Sequence, residues 1–297
     1  HGYGTIHPMV RSIRDFLELI KFEHTLFALP FAYLGMILGA NGRPTWYQFG
    51  WITVAMAAAR TVAMGSNRLA DRMLDGLNPR TANRPLVTGR ISVRTAWIGT
   101  AIAFAIFGLS AWQLGALALR LLPVAILFLI GYSFTKRFTW LSHFILGFTD
   151  GLAPVGAWVA VRGSLFARSD LPAWLLLFAV TLWIGGFDII YACQDAEVDR
   201  RLGLHAIPTR FGIPTALTLS SASHALTMVL LIALGFKCEL GWVYATGLVI
   251  VGLLLMLEHR LVSPEDLTRL NIAFFHTNSA ISIVLFTSVL VAYWIKA

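Results

Sequence analysis

Asn67, Asp71 and Asp75 stand four residues apart, and Asp195 and Asp199 repeat that spacing in the second half of the chain. On a helix an i, i+4 step drifts by about 40°, so each set forms one polar stripe. Asp188 and Tyr191 lengthen the second stripe. Oxygen donors of this kind suit Mg²⁺, which keeps several waters and takes one or two carboxylates together with phosphate oxygens. Zinc is a poor fit, because no His or Cys joins either stripe. Cations surround both: Arg72, Arg80 and Arg84 follow the first, Lys136 and Arg137 close an apolar segment, and Arg200 and Arg201 follow the second. A guanidinium fork grips phosphate oxygens bidentately, while an ammonium acts as a point charge. The pattern reads as a site for Mg²⁺ bridging a diphosphate, with Asn67, Asp71, Asp75, Asp195 and Asp199 as metal ligands. Arg72, Arg84, Lys136, Arg137 and Arg200 are the candidate diphosphate contacts. One stripe alone would read equally well as a helix end paired with nearby arginines; two at matched positions make that reading weaker.

The elements that carry these stripes are apolar. Of 297 residues, 57% are hydrophobic and 13% charged, with a mean hydropathy of +0.72. A soluble domain of this size could not solvate so much apolar surface, so the chain is expected to be an all-α polytopic membrane protein, a single domain over 1–297. Residues 1–23 are mixed polar and do not read as a cleavable signal. Windows of about 20 apolar residues fall near 24–40, 46–66, 95–113, 115–134, 139–161, 172–193, 212–236, 239–257 and 270–295, which predicts nine transmembrane helices. With the N-terminus in the cytoplasm, 16 of the 23 Lys and Arg lie on the inner side, a positive-inside bias that fixes this orientation. The net charge of +8 then follows from topology and gives no reason to invoke nucleic acid. Spans two and six run the same way, so both stripes reach the cytoplasmic face. Their recurrence predicts two similar four-helix halves around a central cavity. Cys193 and Cys238 are not expected to pair or to bind metal.

With these residues in place, the chain resembles the UbiA superfamily of intramembrane prenyltransferases. Asn67-Arg-Leu-Ala-Asp71-Arg-Met-Leu-Asp75, continued by Arg80-Thr-Ala-Asn-Arg84-Pro-Leu-Val-Thr-Gly89, is similar to that family's N-D-x-x-D-x-x-x-D motif and its R-T-x-x-R-P-L-x-x-G continuation. Asp188-Ile-Ile-Tyr191-Ala-Cys-Gln-Asp195-Ala-Glu-Val-Asp199 resembles D-x-x-Y-x-x-x-D-x-x-x-D. Tyr132-Ser-Phe-Thr-Lys136-Arg137 matches the tyrosine and basic pair that follow the fourth helix. Two positions depart from the pattern. Arg68 replaces the usual second acid, and Ala206-Ile-Pro208 stands where many members have Lys-Ser. Arg68 with Asn78-Pro-Arg-Thr is similar to the archaeal and futalosine-pathway menaquinone branches.

The resemblance implies Mg²⁺-dependent transfer of a polyprenyl group from its diphosphate to an aromatic acid acceptor such as 4-hydroxybenzoate. It also implies a lateral opening to the lipid bilayer and a cap built from the loops after spans two and six. On this reading Asp71, Asp75, Asp188, Asp195, Asp199 and Tyr191 form the catalytic set. Tyr132 and Tyr191 would face an allylic cation with their rings. Lys21, Arg60 and Asp188 are candidates for holding the acceptor, because ionisable groups inside a membrane are functional candidates by default. Asp188 could instead pair with Arg60. Within the fifth span Asp150 is a further candidate, His143 reads as a satisfied polar residue, and Gly147, Gly151, Gly156 and Pro154 read as packing or kink residues. Competing readings are geranylgeranyl transfer to a glycerophosphate, and a metal or anion transporter. A transporter is expected to bind near mid-membrane between broken helices, whereas both stripes lie at one face. Prenyl length, the natural acceptor and the oligomeric state are not encoded in these patterns.

Overall fold

The computed structural model describes residues 8–270 and 272–296, and among them the chain is entirely helical and loop. The helices are α1 (Pro8–Leu19), α2 (Phe22–Gly39), α3 (Trp46–Leu77), α4 (Val93–Gln113), α5 (Ala116–Thr135) and α6 (Ser142–Arg162). They continue with α7 (Leu171–Ala192), α8 (Ala196–Arg201), α9 (Ile207–Phe211), α10 (Ile213–Lys237), α11 (Gly241–Arg260) and α12 (Asn278–Lys296). Local chemistry sets the breaks. Lys21 adopts a left-handed backbone (φ 52°) and separates α1 from α2. Thr45 and Gln48 close a capping box at the start of α3, and Ser92 accepts from the Thr95 amide at the start of α4.

Seven helical segments among the described residues are long and apolar enough to cross a membrane: Val93–Gln113, Ala116–Thr135, Ser142–Arg162, Arg168–Arg201, Ile213–Lys237, Gly241–Arg260 and Phe275–Lys296. Their outward faces are apolar. Trp97, Ile98, Ile102 and Phe104 on α4, and Val249, Ile250, Leu253 and Met256 on α11, are all exposed. Rows of exposed large hydrophobics on helices of this length are unfavourable in water and natural in hydrocarbon. The protein is an integral membrane protein.

α3 has 32 residues, about 48 Å at 1.5 Å per residue, against roughly 30 Å of hydrocarbon. Its second half therefore runs on past the apolar stretch and carries Asn67, Asp71 and Asp75 on one continuous helix. The second stripe is built differently from a single helical row. α7 stops at Ala192, residues Cys193–Asp195 tighten into a 3₁₀ turn, and α8 resumes at Ala196. A 3₁₀ turn takes three residues where the α-helix takes 3.6, so Asp195 and Asp199 are rotated relative to Asp188 and Tyr191. Neither cysteine is in a disulfide; Cys193 is buried in this turn.

α7 is the centre of the bundle, packed against α6 on one side and α10 on the other. The main core joins α2, α6, α7, α10, α11 and α12 through residues such as Leu34, Val155, Leu176, Leu177, Leu234, Tyr244 and Leu285. Small residues let α6 approach α7. A Cβ on Gly147 would lie 2.2 Å from the Thr181 carbonyl oxygen, and one on Gly151 would lie 2.9 Å from that of Leu177. Gly156 differs from the expectation drawn for it, since nothing stands within 4 Å of its missing Cβ. Gly147→Ala should therefore lower thermal stability in detergent by about 1–3 kcal/mol, the usual cost of overpacking against a backbone that cannot yield. Gly156→Ala should leave stability unchanged or slightly raised. Equal melting temperatures for the two variants would contradict this packing.

Candidate functional site

α3, the loop after it, α5, α6, α7 and α8 converge on one cavity of about 430 Å³. Asn67, Asp71, Asp75, Asp195 and Asp199 all line it, together with Arg68, Arg80, Arg84, Lys136, Arg137, Tyr132, Asp188 and Tyr191. Two stripes far apart in sequence are thus brought to a common space.

Asp71, Asp75, Asp195 and Asp199 each carry their own cation. Arg137 Nη2 donates to Asp71 at 2.9 Å and to the Ala70 carbonyl at 2.7 Å. Arg84 Nη1 reaches both oxygens of Asp75 at 2.6 and 2.7 Å. Arg80 grips Asp195 with Nε at 3.0 Å and Nη2 at 2.6 Å, and its third nitrogen donates to the Tyr191 hydroxyl at 3.0 Å. Lys136 Nζ donates to Asp199 at 2.9 Å. Burial opposes the Lys136 charge, yet Asp199 outweighs it and holds the ammonium above its ordinary value. The same balance holds for Arg80: burial works against the guanidinium, and its bonds to Asp195 raise it further.

Local structure aims these groups. Asn78 accepts from the Arg80 amide at 2.9 Å and donates to Asp195 at 3.1 Å, so the loop after α3 is folded onto the turn after α7. Thr81 donates to the Asp75 carbonyl and secures the same loop to its own helix. The His205 amide donates to the Lys136 carbonyl at 2.7 Å, which ties the loop after α8 to the end of α5. Arg68 is buried and donates to Asn67 Oδ1 at 3.0 Å, leaving the Asn67 amide to donate to Asp71 at 3.0 Å.

Deeper in the bundle lies a second polar set. The Ile207 amide donates to His143 Nε2 at 3.2 Å, so the His143 ring proton sits on Nδ1 and is donated to Asp188 at 2.6 Å. Arg60 lies 3.8 Å from Asp150. The pairing of Asp188 with Arg60 considered from sequence is therefore replaced by two separate pairs, each spanning two helices. Rotational phase about the helix axes decides this, and spacing along the chain does not report it. Arg60, Asp150 and Asp188 line the cavity.

Other candidates are placed elsewhere. Arg72 is exposed, because it sits one residue (100°) round from Asp71. Arg200 is exposed and lies 3.7 Å from Glu197. Lys21 lies at the α1–α2 break and is not among the cavity-lining residues described. Arg80 and Arg68, absent from the sequence-based ligand sets, line the cavity. Arg80 was marked by the continuation motif that contains it, and Arg68 by its departure from the usual acid.

The donor set fits a hard divalent cation such as Mg²⁺: one carboxamide and four carboxylates, from two elements, lining one cavity. Among the described residues no three acidic, His or Cys side chains converge into a ready-made metal cage.

Residues 28–280 match the model of the UbiA prenyltransferase family. The 4-hydroxybenzoate octaprenyltransferase of Pseudomonas aeruginosa is 31% identical over 278 residues, covering 90% of this chain and 89% of that protein. Among solved structures, the apo form of a UbiA homologue from Aeropyrum pernix K1 superposes with a TM-score of 0.83 at 35% identity, covering 91% of this chain and 98% of the other. A UbiA homologue from Archaeoglobus fulgidus bound to DMAPP and Mg²⁺ shares the fold, with a TM-score of 0.67 at 21% identity over 91% of this chain and 99% of that one.

The Arg80–Asp195 contact makes a prediction about the loop. Arg80→Ala should raise amide hydrogen exchange across residues 78–92 well above the parent protein, and Arg80→Lys should recover only part of the protection, since an ammonium cannot form the bidentate grip. Unchanged exchange in Arg80→Ala would show that the loop is held by other contacts.

Proposed function

The chain belongs to the UbiA prenyltransferase family, and from that premise we propose that it transfers a polyprenyl group from an allylic diphosphate to an aromatic acid such as 4-hydroxybenzoate. The observation that carries this reading is the cavity in which four carboxylates and four cations face one another. The name of the Pseudomonas relative supports the acceptor class, and the ligands of the Archaeoglobus homologue support the donor class and the metal. We take the chain as one domain of nine transmembrane helices in two four-helix halves. The N-terminus and the capping loops face the cytoplasm, as the positive-inside bias supports.

Lys136, Arg137, Arg80 and Arg84 would turn from their carboxylates to the oxygens of an incoming diphosphate. Asp71, Asp75, Asp195 and Asp199, freed in this exchange, and Asn67 are the groups that would hold Mg²⁺. Mg²⁺ bound there would neutralise the charge that develops on the leaving diphosphate. Preorganised cations that need not reorganise as this charge develops supply most of the rate. Tyr132 and Tyr191 face the cavity and would stabilise the allylic cation through their rings. Tyr132 is fixed by donating to the Ala63 carbonyl at 3.3 Å, and Tyr191 by Arg80. Asp188, oriented by His143 Nδ1–H, would take the ring proton of the acceptor or orient its hydroxyl on its other oxygen. Arg60 is the cavity cation best placed for the acceptor carboxylate.

Purified protein should convert prenyl diphosphates and aromatic acids to prenylated acids, read by mass spectrometry over a matrix of both, with turnover lost on chelation of divalent metal. Product with a glycerophosphate and none with any aromatic acid would overturn the acceptor class. Asp71→Ala and Asp195→Ala should each reduce turnover by at least about a hundredfold, the scale seen when one preorganised charge-stabilising group is removed. Lys136→Ala should weaken donor binding more than acceptor binding. Unimpaired turnover in both aspartate variants would sink the site.

A further inference from the structure

Behind the loop that supplies Arg80 and Arg84, a further arginine ties that loop to the first helix. Arg90 Nη1 donates to Asp15 at 3.2 Å and to Glu18 at 2.9 Å. Its Nη2 donates to Glu18 at 2.6 Å and to the Asn83 carbonyl at 3.4 Å. Asp15 and Glu18 stand one turn apart on α1, and Asn83 immediately precedes Arg84. Gly89, in a left-handed backbone at φ 76°, turns the chain just ahead of Arg90.

The contact has an apolar footing. Leu19 of α1, Leu86 and Ile91 of the loop and Ala96 of α4 form a buried cluster of their own, with Phe16 of α1 and Leu69 of α3 packed against it. Phe16 also covers Gly99 of α4, where a Cβ would lie 2.4 Å from its ring. Exposed ion pairs contribute little when isolated, and more where a bidentate arginine belongs to a network. Here Asp15 is buried, and Arg90 holds the Glu18 carboxyl below its ordinary value.

The chemistry proposed above gives this second attachment a use. Arg80 and Arg84 secure the loop through Asp195 and Asp75. When both guanidinium groups turn to a diphosphate, those two ties are lost at the moment the cations must be held still. The ties to α1 involve neither the metal ligands nor the diphosphate contacts, so they persist through the exchange.

We propose that α1 is a brace for the substrate-binding loop, and that Arg90, through Asp15 and Glu18, is the positioning residue that keeps Arg80 and Arg84 over the cavity when their own carboxylates release them. This rests on the prenyl-transfer reading above.

The test combines kcat and KM for each substrate with hydrogen exchange over residues 83–92, free and with geranyl thiodiphosphate and Mg²⁺, which bind without turnover. Arg90→Ala should raise the donor KM and weaken thiodiphosphate binding by about tenfold, the lower end of the scale for residues that support a ligand-binding group from behind. Its acceptor KM should stay at the parent value. Exchange over 83–92 should rise in the free protein and rise further relative to the parent in the bound one. Arg90→Lys keeps the charge without the fork and should recover part of each effect. Should Arg90→Ala fail to fold because Asp15 is left uncompensated, Glu18→Gln, which leaves Asp15 paired, should show the same pattern at smaller size. Donor binding unchanged in a folded variant overturns the proposal. So do donor and acceptor KM rising together, or an exchange increase equal in the free and bound states, since a merely structural contact would give either. Absence of any prenyl transfer by the unmodified protein overturns the underlying reading instead, and thiodiphosphate binding and exchange still decide the brace.

Discussion

A carboxylate held at the edge of hydrocarbon must have a counter-charge, and the whole polar end of this bundle is arranged around that requirement. Asp75, Asp195 and Asp199 are buried, and each is bonded to a cation from a different segment. Arg80 and Arg84 come from the loop after α3, Lys136 from the end of α5, and Arg137, next to it, reaches back to Asp71 on α3. Removing one partner of such a pair leaves an uncompensated charge, which costs far more than the pair contributes when intact. The pairs therefore act as registration marks. They fix how far the loop after α3 lies over α7, and how α5 sits against α3 and α8. The same arrangement suits exchange chemistry, since a diphosphate offers the cations new partners and a divalent cation offers them to the carboxylates.

Much of this was legible in the sequence because it is local. The i, i+4 spacing of Asn67, Asp71 and Asp75 is realised on one unbroken helix, and seven of the nine apolar windows coincide, among the described residues, with helices long and apolar enough to cross a membrane. What could not be read was rotational phase and pairing. Arg72 and Arg137 are equally basic in the sequence, yet a 100° turn puts Arg72 outside the cavity, whereas Arg137 follows α5 into it. The 3₁₀ turn at Cys193–Asp195 gives no compositional signal. It changes which residues of the second stripe share a face. His143, which reads as an ordinary polar helix residue, orients Asp188 only because the backbone of Ile207 is brought against it from a segment more than sixty residues away. Contacts of that kind depend on tertiary packing, which periodicity does not report.

Arg68 looked like a lost metal ligand when the first stripe was read alone. In the fold it is a buried cation that holds the Asn67 oxygen and lines the cavity near Tyr132 and Asp71. The stripe thus has one negative charge fewer and one positive charge more than an acid there would provide. In the proposed reaction a site so altered would rely more on cations and less on metal-bound carboxylates for neutralising a diphosphate. The substitution shifts the balance between two means of stabilising the same charge, and it leaves the architecture of the site intact.

The cavity has two ends with opposite solvation demands, and α7 serves both. At its C-terminal end the helix yields to a 3₁₀ turn whose Asp195 is gripped by a loop, so the polar end can adjust by exchanging ion pairs. More than two turns earlier, Trp183 is held at its indole by Asn278 and at its backbone carbonyl by His224. Ion pairs near water can trade partners at small cost, because solvent and incoming ligand charges replace what is lost. A hydrogen bond buried between α7 and α12 has no such substitute. The difference in solvation alone is enough to make one end of the cavity responsive and the other rigid.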